Sequence, residues 1–573
     1  MKRNAALFLS VTLFLYCNVH AQDSETRYFD INKNIEIFNS VVKELDLFYV
    51  DSLDINKSVQ SGIVNMLAEL DPYTNYITEK EMDDFKFITT GEYAGIGSYI
   101  MARKIGDSYR VMISGPYENM PAAKAGLREG DIILTVDGED MTQLKDAKVA
   151  SSDPSYGAKL SSQVSSMLKG RAGTIVKVKV ERPGEKKPLE FKITRENIQV
   201  SAVPYYGVLE NNTGYIAFTG FTDKSALDAK RAFLELKKQG IQSLILDLRG
   251  NGGGILEEAV QLVNFFVPRG EIVLSTKGKL KQTDRIYRTT VAPIDVEIPM
   301  AVLVDRGSAS AAEIVSGALQ DLDRAAIVGE RTYGKGLVQV TRELPYGGSL
   351  KVTTSKYYIP SGRCIQAIDY THRNEDGSVG RIPDSLTTVF KTSAGREVRD
   401  GGGIVPDITI KEDKTPSIAY YMLTQYIIFD FVTGWVREHP GIAPVESFGI
   451  TDEDYEKFKA FVKTKKNFKY DMLSEKTLAS LKEVMEYEGY MNTAGDEFKA
   501  LEAKLSPDID RDMELFKDNI KGLINNEIVK RYYYRRGEIQ EELKTDKGVK
   551  EAIALLNDAE RYKKILSPNN NMP

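Results

Sequence analysis

Between about residues 30 and 85 apolar side chains recur at helical spacing, at Ile35, Phe38, Val41, Val42 and Leu45 and again at Val59, Ile63, Met66, Leu67 and Leu70. The pattern predicts a small helical domain that ends at the Asp-Pro turn of Leu70-Asp71-Pro72-Tyr73-Thr74. From Gly91 to about Asn197 the rhythm changes to short strands separated by turns. From about Val200 to Lys411 strands and helices alternate, over 214–218, 226–238, 243–247 and 256–266, which reads as an α/β core. Beyond about Thr415 the chain is charged and helical in pattern, as over 455–465, 498–505 and 513–528.

A chain of 573 residues exceeds what one hydrophobic core holds, and the usual domain size suggests roughly three or four domains. With 42% hydrophobic and 28% charged residues the composition is that of an ordinary water-soluble protein, and a net charge of −6 supplies no reason to expect nucleic acid. The Lys530–Arg536 run, with its three tyrosines, is best read as a packing or interaction helix. The N-terminus has a basic start, an apolar stretch over 5–16 and small residues near Ala21, the three regions of a secretory signal. Its apolar core is too short for a permanent membrane span. After cleavage one cysteine remains, Cys364, so the chain is expected to fold without internal disulfides.

The chemistry concentrates in one region. A buried-strand run over 301–304 is followed by Gly307-Ser308-Ala309-Ser310-Ala311-Ala312-Glu313 and then a helix, so Ser310 stands at a strand-to-helix turn. There its hydroxyl is exposed, and the Ala311 N–H can face a developing oxyanion. Two readings of Ser310 stand side by side, because Ser310-Ala-Ala-Glu313 also fits a capping box. A nucleophile needs a base, and the chain has three histidines, of which His20 lies in the leader and His439 precedes Pro440. His372, the one histidine that could join a Ser-His-Asp site, sits in a polar stretch that reads as an exposed loop. Lys335, between Gly334 and Gly336, is the better base, since burial would favour its neutral amine. Gly329 to Lys335 imitates a phosphate-binding loop, but Gly336 replaces the hydroxyl residue that magnesium needs and a strand follows.

These residues resemble the carboxyl-terminal processing, or tail-specific, serine–lysine proteases. The resemblance rests on the Ser-Ala-Ser-Ala turn, the Gly-Lys-Gly turn 25 positions on, and Gln339 four residues past the lysine. It implies Ser310 as nucleophile, Lys335 as general base and Gln339 as the residue that orients the lysine. A second oxyanion donor is implied at Gly253, within Asp247-Leu-Arg-Gly-Asn-Gly-Gly-Gly254, with Ala311 as the first. Gly401 to Asp407 matches the family too. The stretches Gly95-Ile96-Gly97-Ser98 and Ala125 to Gly138 resemble a PDZ domain, whose glycine loop offers N–H groups to a terminal carboxylate while the peptide joins a sheet edge.

The resemblance implies a multidomain α+β protein with a crotonase-like α/β protease core, an inserted PDZ domain and helical N- and C-terminal regions. The expected boundaries are 1–21 for the signal peptide, 22–88 for the N-terminal helices, 89–198 for the PDZ domain, 199–411 for the core and 412–573 for the helical tail. The expected function is an exported endopeptidase of the periplasm or cell envelope that captures apolar C-termini of proteins or peptides. It needs no metal or organic cofactor, and an adaptor or self-association is open. Two rivals remain: a catalytically silent PDZ scaffold, and a crotonase-like acyl-thioester enzyme, which export argues against.

Overall fold

The computed structural model describes residues 27–567 apart from 146–148 and 412–413, so the expected leader, with Cys17 and His20, lies outside the described residues. The chain forms two compact units. One holds the residues up to Glu81 together with Gln339–Thr354, and the other holds Met82–Val338 together with Ser355 onward.

In the smaller unit helices run over 27–48 and Ile55–Ala68, the latter capped by Asp54, whose carboxylate accepts the Lys57 N–H at 3.1 Å. The Asp-Pro turn forms as expected: Asp71 Oδ1 accepts the N–H groups of Tyr73 and Thr74, both at 2.8 Å. Asn75–Ile77 then pairs antiparallel with Ser349–Lys351. The helices are present, but their apolar stripe is not a core, since Ile35, Phe38, Val41 and Leu45 are exposed and only Leu67 of the second helix is buried. Periodicity predicts the helix and its apolar face, and two helices by themselves cannot cover that face.

In the larger unit, the PDZ-like region is an antiparallel sheet in the order Ser98–Ile105, Ser108–Pro116, Ile132–Val136, Ile175–Glu181, Leu189–Thr194. Ser98–Ile105 ends that order. The helix Tyr156–Leu168 packs Leu160, Val164 and Leu168 onto the sheet's apolar face. Glu92–Gly95 pairs with Glu196–Gln199 where the region joins the rest of the chain.

The core sheet runs Tyr205–Leu209, Thr213–Ala217, Ser243–Asp247, Met300–Val304, Ala326–Gly329, Ile408–Thr409, parallel except for its first pair. Every residue of the three central strands is buried, because a parallel sheet covered on both faces reads as continuous apolar sequence. Alternate side chains divide between the faces. Leu244, Leu246, Val302 and Ile327 pack under the helices Ser225–Lys238, Leu256–Asn264 and Ala311–Asp321. Ile245, Leu303 and Val328 point the other way, onto Ile539, Val549, Ala552 and Leu555 of the C-terminal helices. That tail is therefore half of the core's covering, a role that its charged sequence does not announce. Its remaining helices build their own core around Phe431, Trp435, Tyr455 and Phe458. Among the described residues no helix is long and apolar enough to cross a membrane.

Candidate active site

Ser310 precedes the helix Ala311–Asp321 with φ 57° and ψ −115°, a backbone conformation that costs energy for any residue with a Cβ. Its surroundings hold it there. The Ala309 N–H donates to the Asn251 carbonyl at 2.9 Å, and the buried Ser308 hydroxyl donates to the Leu248 carbonyl at 2.7 Å, so the serine turn is stitched to the glycine turn that follows Ser243–Asp247. Gly253 lies against the serine: a Cβ there would stand 2.7 Å from Ser310 Cβ and 2.9 Å from the Ala311 nitrogen. With φ +97° as well, the position admits glycine for two independent reasons. Ala311 is the first residue of its helix, where an N–H has no partner within the helix. The Gly253 N–H donates to Asn251 Oδ1 at 2.9 Å in this conformation.

The lysine turn is joined to the serine turn from both sides. Glu313, completely buried, accepts the N–H of Ser310 at 2.9 Å and those of Gly334 and Lys335 at 2.8 Å each. The Thr332 hydroxyl is its fourth donor, oriented by the Ile404 N–H that donates to it at 2.7 Å. On the acceptor side, the buried Tyr357 hydroxyl bonds the Lys335 carbonyl at 2.7 Å and the Ser310 carbonyl at 3.2 Å. Gln366 closes the turn by accepting the Gly336 N–H at 2.7 Å. Burial pushes the Glu313 carboxyl up to about 7, against the Thr332 hydroxyl and the three backbone N–H groups that favour its ionised form. The capping-box reading of Ser310 and Glu313 is thus half of the arrangement: the same carboxylate that receives the helix's N-cap N–H also organises the lysine turn.

Ser310, Ala311, Gly253 and the Lys335 turn come together, and Lys335 is half-buried. Gln339 belongs to the smaller unit, where its amide donates to Thr353 Oγ1 at 3.2 Å. His372 is not part of this cluster of bonds; its Nδ1 pairs at 2.6 Å with Asp369 in an exposed hairpin. His439 stacks on Trp435 in the C-terminal helices. Cys364 is largely shielded, and burial raises its thiol, as suits a structural residue. Gly95, Ile96, Gly97 and Ser98 form the corner between Glu92–Gly95 and the edge strand Ser98–Ile105. Sequence reading missed Tyr357, Thr332 and Asn251. Asn251 lies inside the quoted glycine turn, but a tyrosine 47 residues past the serine carries no local signal.

Residues 212–372 match the description "Peptidase family S41", residues 112–151 match "PDZ domain", and residues 418–556 match "Probable PDZ-protease, C-terminal helical domain". A carboxy-terminal-processing protease of Bartonella bacilliformis is 33% identical over 371 residues, which is 64% of this chain and 80% of the relative. A probable CtpA-like serine protease of Staphylococcus haemolyticus is 32% identical over 338 residues, 59% of this chain and 63% of its own length. Among solved structures, a photosystem II D1 C-terminal processing protease is 27% identical, covers 66% of this chain and 87% of its own, and superposes with a TM-score of 0.34.

Proposed function

The chain belongs to peptidase family S41, as a C-terminal processing serine protease with a PDZ domain, and we propose that it is an exported endopeptidase in which Ser310 attacks and Lys335 takes the proton. The observation that supports the reading most is the double clamp: Glu313 and Tyr357 each bond the backbone of both turns, leaving the two turns little freedom to drift apart. In this reading the PDZ domain captures an apolar C-terminus at Gly95, Ile96, Gly97 and Ser98, and the chain feeds toward a crotonase-like core. The domains follow the ranges 22–88, 89–198, 199–411 and 412–573, with the substrates among envelope proteins.

Neutral Lys335 removes the proton as Ser310 Oγ bonds the scissile carbonyl carbon. The oxyanion is received by the Ala311 N–H and by the Gly253 N–H once that group turns from Asn251. Protonated Lys335 then gives its proton to the leaving amine. With that amine gone, neutral Lys335 takes a proton from a water that attacks the acyl carbon; the ester bond to Ser310 Oγ breaks, the new carboxylate leaves and Lys335 returns the proton to Ser310. The test is cleavage of a loosely folded protein with an apolar C-terminus, followed by mass, with Ser310→Ala and Lys335→Ala beside the unaltered chain. Loss in both variants is expected; fragments that persist in both would overturn the dyad.

A further inference from the structure

The turn that carries Gly253 has glycines at 250, 252, 253 and 254, so it brings little side-chain packing of its own and its place is set by what its ends are tied to. At its far end the Phe221 N–H donates to the Gly253 carbonyl at 3.0 Å and the Ile255 N–H to the Phe221 carbonyl at 2.8 Å. In the middle Asp305 Oδ1 accepts the Gly250 N–H at 2.9 Å, and the Asn251 amide donates to the Phe218 carbonyl at 2.8 Å. These ties all end within the core.

Arg249, at the near end, makes a tie of another kind. Its Nε and Nη2 hold the two oxygens of Asp247 at 2.9 and 2.6 Å, and Asp247 Oδ2 also accepts the Tyr215 hydroxyl at 2.7 Å. The same Nη2 then reaches out of the core to Asp546 Oδ2 at 2.7 Å. Asp546 is the N-cap of the helix Lys547–Asn557, its Oδ1 accepting the Val549 N–H at 2.9 Å, and that helix is fixed on the core sheet by Val549, Ala552 and Leu555. A guanidinium beside a helix N-terminus faces the positive end of the dipole, which repels it, so the Asp546 carboxylate is what makes the approach favourable. A cavity of about 470 Å³, lined also by Glu330, Glu542 and Thr545, opens beside the guanidinium. Ion pairing, more than close packing, therefore sets where Arg249 stands.

We propose that Asp546 is a positioning residue for the oxyanion hole: through Arg249 it fixes the near end of the turn that presents Gly253 to Ser310. The tail thus acts on the chemistry as well as covering the sheet. This rests on reading Gly253 as an oxyanion donor. A shift of about 1 Å at a reacting group can cost up to about a hundredfold in rate, so a tie four residues from Gly253 is near enough to matter.

The experiment uses the full chain and measures kcat and KM on fluorescein-labelled β-casein, with thermal midpoints alongside. Asp546→Ser still caps the helix but is too short to reach Arg249; Asp546→Asn keeps an oxygen at the same reach without the charge, and caps equally well should the serine variant melt early. The expected result is kcat about tenfold lower in Asp546→Ser and about threefold lower in Asp546→Asn, with KM within about twofold and midpoints alike. Acetyl-Leu-Ala-alaninal reports on the hole itself, because its carbonyl oxygen becomes an oxyanion as Ser310 Oγ bonds the carbonyl carbon and Lys335 takes the proton; it should inhibit each variant more weakly by the same factor. Unchanged kcat, a loss that follows the thermal midpoint, or unchanged inhibition beside a lowered kcat overturns the proposal. An unaltered chain that leaves β-casein whole, or a Ser310→Ala variant that cuts it as fast, fails the protease reading first and takes the proposal with it.

Discussion

Glu313 shows how one buried carboxylate can couple the serine turn to a lysine turn whose Lys335 lies 22 residues beyond the carboxylate itself. All four of its neighbours donate, so the ionised form completes the network while burial resists it. Because the folded carboxyl is raised above its ordinary value, its contribution to stability is present below about pH 4.5 and is lost as pH rises through about 7. Over that same window the clamp becomes complete. Activity is therefore expected to rise from about pH 6 to about pH 8 while the thermal midpoint drifts down, and Glu313→Gln should make that drift shallower. The variant turns an amide N–H toward a backbone N–H, so kcat should fall by about one to two orders of magnitude with KM within about twofold. Gly253→Ala is the companion case: a methyl 2.7 Å from Ser310 Cβ at φ +97° should abolish cleavage, and circular dichroism should show the fold retained. Cleavage at the unaltered rate would mean that the two turns are not held against each other.

At the level of elements, a strand places Tyr357 where its hydroxyl spans two turns. Ser349–Tyr358 runs antiparallel to Ile272–Gly278 through Ser355–Tyr358, and that pairing fixes the tyrosine beneath the serine and lysine carbonyls. Tyr357→Phe leaves both carbonyls without this donor in a buried site, which should cost about 1–3 kcal/mol. A lower urea midpoint at unchanged m-value would show it as a stability effect. A fall in kcat beyond the stability loss would show that the turns had moved. Strands and helices of this core were readable from 243–247, 256–266 and 301–304, because buried parallel strands and amphipathic helices impose their own periods. The partners Tyr357, Thr332 and Asn251 were not, since a hydrogen bond between distant segments leaves no period.

At the scale of the larger unit, the C-terminal helices act on both the core sheet and the PDZ domain. Ile539, Val549, Leu555 and Leu556 cover the second face of the core sheet. Each buried aliphatic side chain contributes roughly 1.5–3 kcal/mol, against a net stability of only about 5–15 kcal/mol for a domain. A chain ending at Thr415 is therefore expected to be insoluble or unfolded, and a soluble, active truncation would show the covering to be dispensable. The same helices grip the PDZ domain through Glu129, whose 5%-exposed side chain meets Lys530 at 3.0 Å and Arg531 at 3.4 Å. Arg531 also bonds Glu527 at 2.8 Å and lies 4.5 Å over the Phe429 ring, while Arg103 pairs with Asp430 at 2.8 Å. Arg531→Ala should loosen that grip, seen as faster hydrogen exchange in Ser98–Ile105 and Ile132–Val136. Unchanged exchange would mean that Lys530 and the Arg103 pair suffice.

The sequence by itself determined the order of helical, strand-rich, alternating and helical regions, and it determined Ser310 and Lys335 as the pair to test, because side-chain periodicity and turn chemistry are local. It also determined the glycine at 253, though not the reason for it. Tertiary structure decided that Glu313 serves both turns, that the first helices leave their apolar stripe exposed, and that the charged tail completes the core. Each of these depends on which surfaces meet in space, and burial between segments hundreds of residues apart is set by packing, not by any pattern within one of them.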